Sequence, residues 1–257
     1  MQGKVLIITG STGIGAQTAR LAAAQGASLL IASGDEISAW ELAAETGAEC
    51  WPGDLTLPHS AASVVSQCLS KFGRVDALFN VAGLSGRRFG DGPVHEIDDD
   101  GWEAALAHNL TLTFRMCRAV TGRLLQQAAD ESGARGAIVN MGSVLVESPE
   151  PRHFATHAYA AAKGAVTAMS RSMAAYYAPH GIRVNVLAPG MVRTPAAERT
   201  HAAPELQEFV RRKQPLNSGM IDVAEVARTA LFLLSKDSRS ITGEVLTVDG
   251  GWRLSGV

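Results

Sequence analysis

The chain is short of the features that would take it out of the ordinary globular class. Its 257 residues include only three cysteines, Cys50, Cys68 and Cys117. They are scattered and odd in number, so they suggest neither a disulfide framework nor metal ligands and read as reduced thiols of a cytoplasmic protein. No apolar run approaches the ~18 residues of a membrane span. The opening MQGKVLIITG lacks a charged leader and a cleavage site and runs directly into a strand-like stretch. Charge is nearly balanced, at a net −2. With no basic patch or tail, nucleic acid and a membrane surface are not expected partners. Repeats, low-complexity tracts and domain linkers are missing too.

What remains is a chain with 46% hydrophobic residues and a regular rhythm. The runs 4–9, 28–33, 75–80, 136–141, 182–187 and 244–249 are continuous in Val, Ile and Leu, as parallel strands covered on both faces tend to be. A shorter candidate lies at 48–52. Segments with helical spacing fall between them, at about 14–25, 36–46, 58–72, 101–128, 155–178 and 222–235. Pro58 suits a first helical turn, and Asp222 with Glu225 suits a capping box. The alternation predicts an α/β fold: one doubly wound domain over 1–257, with a parallel sheet of about seven strands flanked by helices. Residues 84–99, 144–158 and 193–220 break the rhythm after strand ends, where ligands of open α/β sheets sit, and are candidate substrate loops and lid. A short helix is expected within the last, at about 204–213.

The turn ITGSTGIG follows the first strand and opens a helix. Gly10 permits the tight turn. Gly13 and Gly15 let backbone amides approach a pyrophosphate at the helix N-terminus. Its G-x-x-G-x-G spacing departs from the usual G-x-G-x-x-G. The second strand ends Ser33-Gly34-Asp35, with no Arg or Lys between Gly26 and Trp51. Asp35 either reaches a ribose 2′-hydroxyl or serves only as a first-turn acid of the next helix.

Tyr159 and Lys163 stand at i and i+4 on one helical face, in a chain with three Tyr and five Lys. They form either an acid–base couple, in which the ammonium favours the phenolate, or an ordinary surface pair. Ser143 ends a strand sixteen residues upstream. Asn109 lies among apolar neighbours, where its amide needs a partner.

Together these residues resemble the short-chain dehydrogenase/reductase family in its compact branch. The matches, in order along essentially the whole chain, are Thr9-Gly10 to Gly13-Ile14-Gly15, Asp54, Asn80-Val81-Ala82-Gly83, Asn109, Ser143, Tyr159/Lys163, Pro189-Gly190-Met191-Val192-Arg193-Thr194 and the ending TGEVLTVDGG. The resemblance implies a Rossmann-type fold and an NAD(P)-dependent oxidoreductase that moves hydride between nicotinamide and a ketone or secondary alcohol. It implies that Tyr159 is the general acid or base, that Lys163 lowers the Tyr159 pKa and holds the nicotinamide ribose, that Ser143 polarises the substrate oxygen, and that Asn109 holds a relay water. The implied cofactor set is Gly10, Ser11, Thr12, Gly13, Ile14, Gly15, Ser33, Asp35, Asp54, Leu55, Asn80, Ala82, Gly83, Tyr159, Lys163, Pro189, Gly190, Val192 and Thr194, with Asp54 facing the adenine, Val192 fixing the carboxamide and no metal.

The chain departs from the family pattern in places. The phosphate turn is one residue short. Ser33-Gly34 offers neither the usual acid nor the usual Arg. Val81 replaces the commoner Asn, and the Ser143–Tyr159 spacing is long, with Pro149 and Pro151 inside it. The cofactor is NAD or NADP, with the balance toward NAD, and Ser11, Thr12 or Asp35 decides. The substrate is a small molecule. Arg87, Arg88, Arg152, His153 and His157 either flank the pocket mouth and meet an anionic group or form a solvated surface. Trp102, Tyr176 and Tyr177 read as core or interface residues, and the resemblance implies a homotetramer or homodimer. Two alternatives stand beside the main reading: a 3-oxoacyl-thioester reductase, and a dinucleotide-binding sensor without turnover.

Overall fold

The computed structural model describes residues 1–256; Val257, the last residue of the expected domain, lies outside them. In chain order the elements are β1 Val5–Thr9, α1 Gly13–Ala24, β2 Ser28–Ser33, α2 Glu36–Thr46, β3 Glu49–Pro52, α3 Ser60–Phe72, β4 Ala77–Asn80, α4 Asp99–Leu106, α5 Leu112–Gln126, β5 Gly136–Met141, α6 His157–Tyr177, β6 Ile182–Pro189, α7 Glu198–Ala202, α8 Pro204–Lys213, α9 Val223–Leu234 and β7 Val245–Val248. The strands form one sheet in the order β3-β2-β1-β4-β5-β6-β7, and all pairs are parallel. This is the doubly wound architecture that the strand–helix alternation predicts.

Alternate residues of each strand point to opposite faces. Leu6, Ile8, Leu29, Ile31, Phe79 and Val139 pack on one side against α1 and α9. Val5, Ile7, Leu30, Leu78, Ile138 and Val184 pack on the other, against α3, α5 and α6. Both faces are dry, which explains why the strands lack apolar–polar alternation.

Side chains end the helices as their chemistry requires. Asp35, Asp98 and Asp222 cap α2, α4 and α9 by accepting from the N–H groups of Ser38, Gly101 and Ala224. Three local expectations change. Pro58 lies ahead of α3, whose N-cap is His59. The capping box at Asp222 is half made, because the Glu225 carboxylate accepts from Asn217 Nδ2. The long helix expected over 101–128 is broken by a π turn at Ala107–Thr111, which joins α4 to α5.

A second, smaller cluster lies over the carboxyl end of the sheet. Phe209 of α8 packs on Phe154 and Trp252, with ring centroids 6.3 and 5.6 Å away. Trp252 is 1% exposed, and its indole N–H reaches the Ser148 carbonyl. Helix α8, the 144–158 excursion and the last turn of the chain thus close on one another.

Candidate active site

The loops after the strand ends surround a cleft of about 880 Å³. Beneath it Thr9 ties the end of β1 to the loop after β4: its hydroxyl accepts from the Val81 and Ala82 N–H groups, both at 3.0 Å. The glycines of the first turn need their smallness. Gly10 and Gly13 have φ of +91° and +50°. A Cβ on Gly15 would lie 2.5 Å from the Gly10 carbonyl oxygen, and one on Gly13 would lie 3.0 Å from the Thr194 methyl. No side chain caps α1, and no acid lies in its first turn. That leaves its positive end for an anion.

Ser11 and Ser33 hydrogen-bond to each other at 2.8 Å, and Ser11 also bonds Ser38 at 2.6 Å. Asp35 is exposed and engaged as the α2 cap. Thr12 and Ile14 line the cleft. Asp54 is exposed, and the Thr56 hydroxyl and N–H hold its carboxyl below the usual range.

Two expected cofactor residues turn elsewhere. Asn80 is buried, and its amide nitrogen donates to Asn140 Oδ1 at 2.8 Å and to Cys117 Sγ at 3.3 Å, while its Oδ1 has no partner. Leu55 is buried in the core against α3, as its aliphatic side chain favours.

Beyond β6, Pro189, Gly190, Val192 and Thr194 line the cleft. Gln214, fully buried at the foot of α8, holds this segment by bonding the Met191 N–H at 2.6 Å and the Met191 and Gly219 carbonyls at 3.0 and 2.7 Å. Neither Gln214 nor Ser38 stands out in the sequence, since each acts through a partner that only the fold brings near.

On the opposite wall, α6 presents Tyr159 and Lys163, and Ser143, two residues past the end of β5, lies on the same cleft. Burial pushes the Tyr159 phenol above its ordinary value, and the nearby Ser143 hydroxyl works the other way. Lys163 is 2% exposed and donates to the Met141 carbonyl at 3.0 Å. Its ammonium lies 5.6 Å from the Tyr159 ring centroid. Burial brings its pKa down to about 8. Lowering of the Tyr159 pKa by Lys163 is therefore not what this geometry gives: desolvation dominates both groups.

Asn109 sits in the π turn with its Nδ2 on the Leu84 and Ala105 carbonyls, each at 3.0 Å. Its Oδ1 is buried without a partner. A Cβ on Gly83 would lie 2.7 Å from that oxygen and 3.4 Å from Lys163 Nζ, so only glycine leaves both groups in place.

Of the candidate mouth residues, Arg87 and Arg88 line the cleft, Arg87 donating to the His153 carbonyl at 2.9 Å. Arg152 is exposed and paired with Glu205, His153 packs on Phe209, and His157 Nδ1 accepts from the Val94 N–H.

A family model described as enoyl-(acyl carrier protein) reductase matches residues 8–253. The chain is 37% identical to an inactive 2-(S)-hydroxypropyl-CoM dehydrogenase 2 of Xanthobacter autotrophicus, over 91% of this chain and 98% of that one. The chain belongs to the short-chain dehydrogenase/reductase family. This short-chain dehydrogenase/reductase is also 32% identical to human 3-hydroxyacyl-CoA dehydrogenase type-2, covering 99% and 97% of the two chains. A 3-ketoacyl-(acyl-carrier-protein) reductase from Brucella melitensis, solved with NADH, superposes with a TM-score of 0.86 at 28% identity over 98% and 99% of the chains. The protein is an NAD(P)-dependent oxidoreductase of alcohol and carbonyl groups. The glycine cradle and the uncapped positive end of α1 fit a dinucleotide.

Buried Lys163 yields a stability prediction for this short-chain dehydrogenase/reductase. Between about pH 8 and the ordinary lysine value near 10.5 the unfolded chain holds a proton that the folded one releases, so this residue's contribution to stability rises with pH through that window. Lys163→Met removes the burden below it. Cofactor-free thermal scans should show the variant more stable than wild type at pH 7, by up to about 3 kcal/mol. The gap should close by about pH 10.5; an equal gap at both pH values would contradict the assignment.

Proposed function

We propose that Tyr159 is the general acid in carbonyl reduction and the general base in alcohol oxidation, assisted by Ser143, Lys163 and Asn109. The observation that carries this reading is the meeting of Tyr159, Ser143 and Asn109 on the cleft wall, with the buried Lys163 ammonium 5.6 Å from the Tyr159 ring centroid. The nicotinamide cofactor supplies or takes the hydride. Ser143 donates to the substrate oxygen and places it at the phenol. Tyr159 gives up its proton as that oxygen gains charge, and Lys163, which is neutralised more readily than an ordinary lysine, is suited to replacing the proton. The unpartnered Asn109 oxygen is the acceptor that a water on this route would need.

The same reading gives the phosphates to Gly13, Ile14 and Gly15, the nicotinamide end to Pro189, Gly190, Val192 and Thr194, and the ribose end to Ser11, Ser33 and Asp35. Two hydroxyls and a carboxylate, with no cation among them, favour NAD over NADP. One domain over 1–257 carries both binding and chemistry. We further infer a cytoplasmic enzyme that works as a homotetramer or homodimer. The exposed Trp102, Phe114 and Tyr176, at 39, 43 and 69%, support that assembly. No helix among the described residues is long and apolar enough to cross a membrane.

A 3-oxoacyl thioester is the favoured substrate class, on the strength of Arg87 and Arg88 at the mouth and an apolar interior walled by Phe154, Trp252, Val144 and Met191. Three outcomes follow. Tyr159→Phe should lower kcat about 10²–10⁴-fold with NADH affinity within about twofold of wild type; near-normal turnover would refute the acid–base role. NADH should bind about tenfold more tightly than NADPH by fluorescence titration. The double variant Arg87→Ala/Arg88→Ala should raise KM for acetoacetyl-CoA several-fold and leave ethyl acetoacetate unaffected, and an equal effect on both would remove the anionic subsite.

A further inference from the structure

The N-terminus of α6 is held in an unusual way. Its own N-cap, Thr156, makes no side-chain cap bond. The first three N–H groups of the helix are instead taken by the loop after β4. The His157 N–H donates to the Gly92 carbonyl at 3.2 Å. The Ala158 N–H donates to Asp91 Oδ1 and the Tyr159 N–H to Asp91 Oδ2, both at 2.9 Å. Asp91 is 5% exposed and lies 67 and 68 residues from these partners. One buried carboxylate thus satisfies two orphan donors, one of them the backbone of the reacting tyrosine itself.

The loop is shaped around this contact. A Cβ on Gly86 would lie 2.3 Å from Asp91 Oδ2, so the carboxylate fits only because residue 86 is glycine. Gly90, at φ +84°, turns the chain just ahead of Asp91, whose N–H returns to the Gly86 carbonyl. Gly86 opens the single turn that carries Arg87 and Arg88 into the cleft mouth.

We propose that Asp91 is a positioning residue that fixes the first turn of α6, and with it the Tyr159 phenol, relative to the substrate loop at 84–99. It acts through Tyr159 and touches neither substrate nor cofactor. The proposal rests on Tyr159 being the acid–base group, which Tyr159→Phe tests separately. In Asp91→Asn one oxygen becomes an NH₂ facing an N–H donor, so one of the two bonds is lost and the turn is free to shift. A displacement of about 1 Å at a reacting group costs up to about 10²-fold in rate.

With acetoacetyl-CoA and ethyl acetoacetate as substrates, Asp91→Asn should lower kcat about 10- to 100-fold while the Kd for NADH stays within about twofold. Hydrogen exchange at the Ala158 and Tyr159 amides should speed up at least tenfold, with the later turns of α6 unchanged. Asp130→Ala, which removes a carboxylate that satisfies the Ser132 and Ala134 N–H groups ahead of β5, at the end of the sheet opposite the cleft, controls for loss of such a tether alone; it should lower the thermal midpoint and leave kcat intact. Gly86→Ala keeps the charge but pushes the carboxylate aside, and should reproduce the kcat loss; it carries the test if Asp91→Asn does not fold. A folded Asp91→Asn or Gly86→Ala enzyme with kcat within twofold of wild type, or a kcat loss in Asp130→Ala equal to that in Asp91→Asn, would overturn the proposal. If Tyr159→Phe alone retains turnover, the acid–base reading fails instead.

Discussion

The hydrogen bond from the Lys163 ammonium to the Met141 carbonyl ties the chemistry to the scaffold. It joins α6 to the carboxyl end of β5 inside a dry wall, where a misplaced donor would be costly. From that point the geometry spreads outward. Met141 sits two residues ahead of Ser143, so the strand that holds the lysine also delivers the serine. Gly83 leaves Asn109 and Lys163 room beside it, and Asn109 can face them because the helix loosens into a π turn there. An ammonium with a pKa near 8 is a consequence of this dryness and is suited to exchanging a proton at working pH.

The cleft is assembled from residues far apart in sequence by a few strong tethers. Thr9 pins the loop after β4 to the end of β1. Asp91 pins the continuation of that loop to α6. Each tether uses a side-chain oxygen to satisfy backbone N–H groups that would otherwise lie buried without partners. The aromatic contacts of Phe154, Phe209 and Trp252 close the far side with apolar surface, and a single hydrogen bond fastens Trp252 to Ser148.

Much of this was legible in the sequence, for physical reasons. Strands covered on both faces must be continuously apolar, so β1, β2, β5 and β6 stood out. Tyr159 and Lys163 were visible because a helix brings i and i+4 together, and α8 was visible at its observed bounds, 204–213. Contacts set by the tertiary fold were not legible. Asn80 reads as a cofactor residue until the sheet turns its amide toward Asn140 and Cys117. The π turn leaves no composition signal. The effect of Lys163 on Tyr159 could not be judged without the burial of both, and desolvation outweighs the charge–charge argument that spacing alone supports. Asp91 and Gln214 look like ordinary loop and helix-end polar residues, because their partners are assigned only by the fold.

Gln214 has a mechanical consequence. Its amide grips Met191 through both N–H and carbonyl, and Gly219 through its carbonyl, from the foot of α8. The Met191–Val192 segment, bridged in turn to Ile221, and the foot of α8 therefore share one degree of freedom. Swinging the foot of that helix outward must either break three hydrogen bonds at once or drag the floor of the cleft with it. The cleft floor and the foot of α8 are therefore held in one register, and neither shifts without the other.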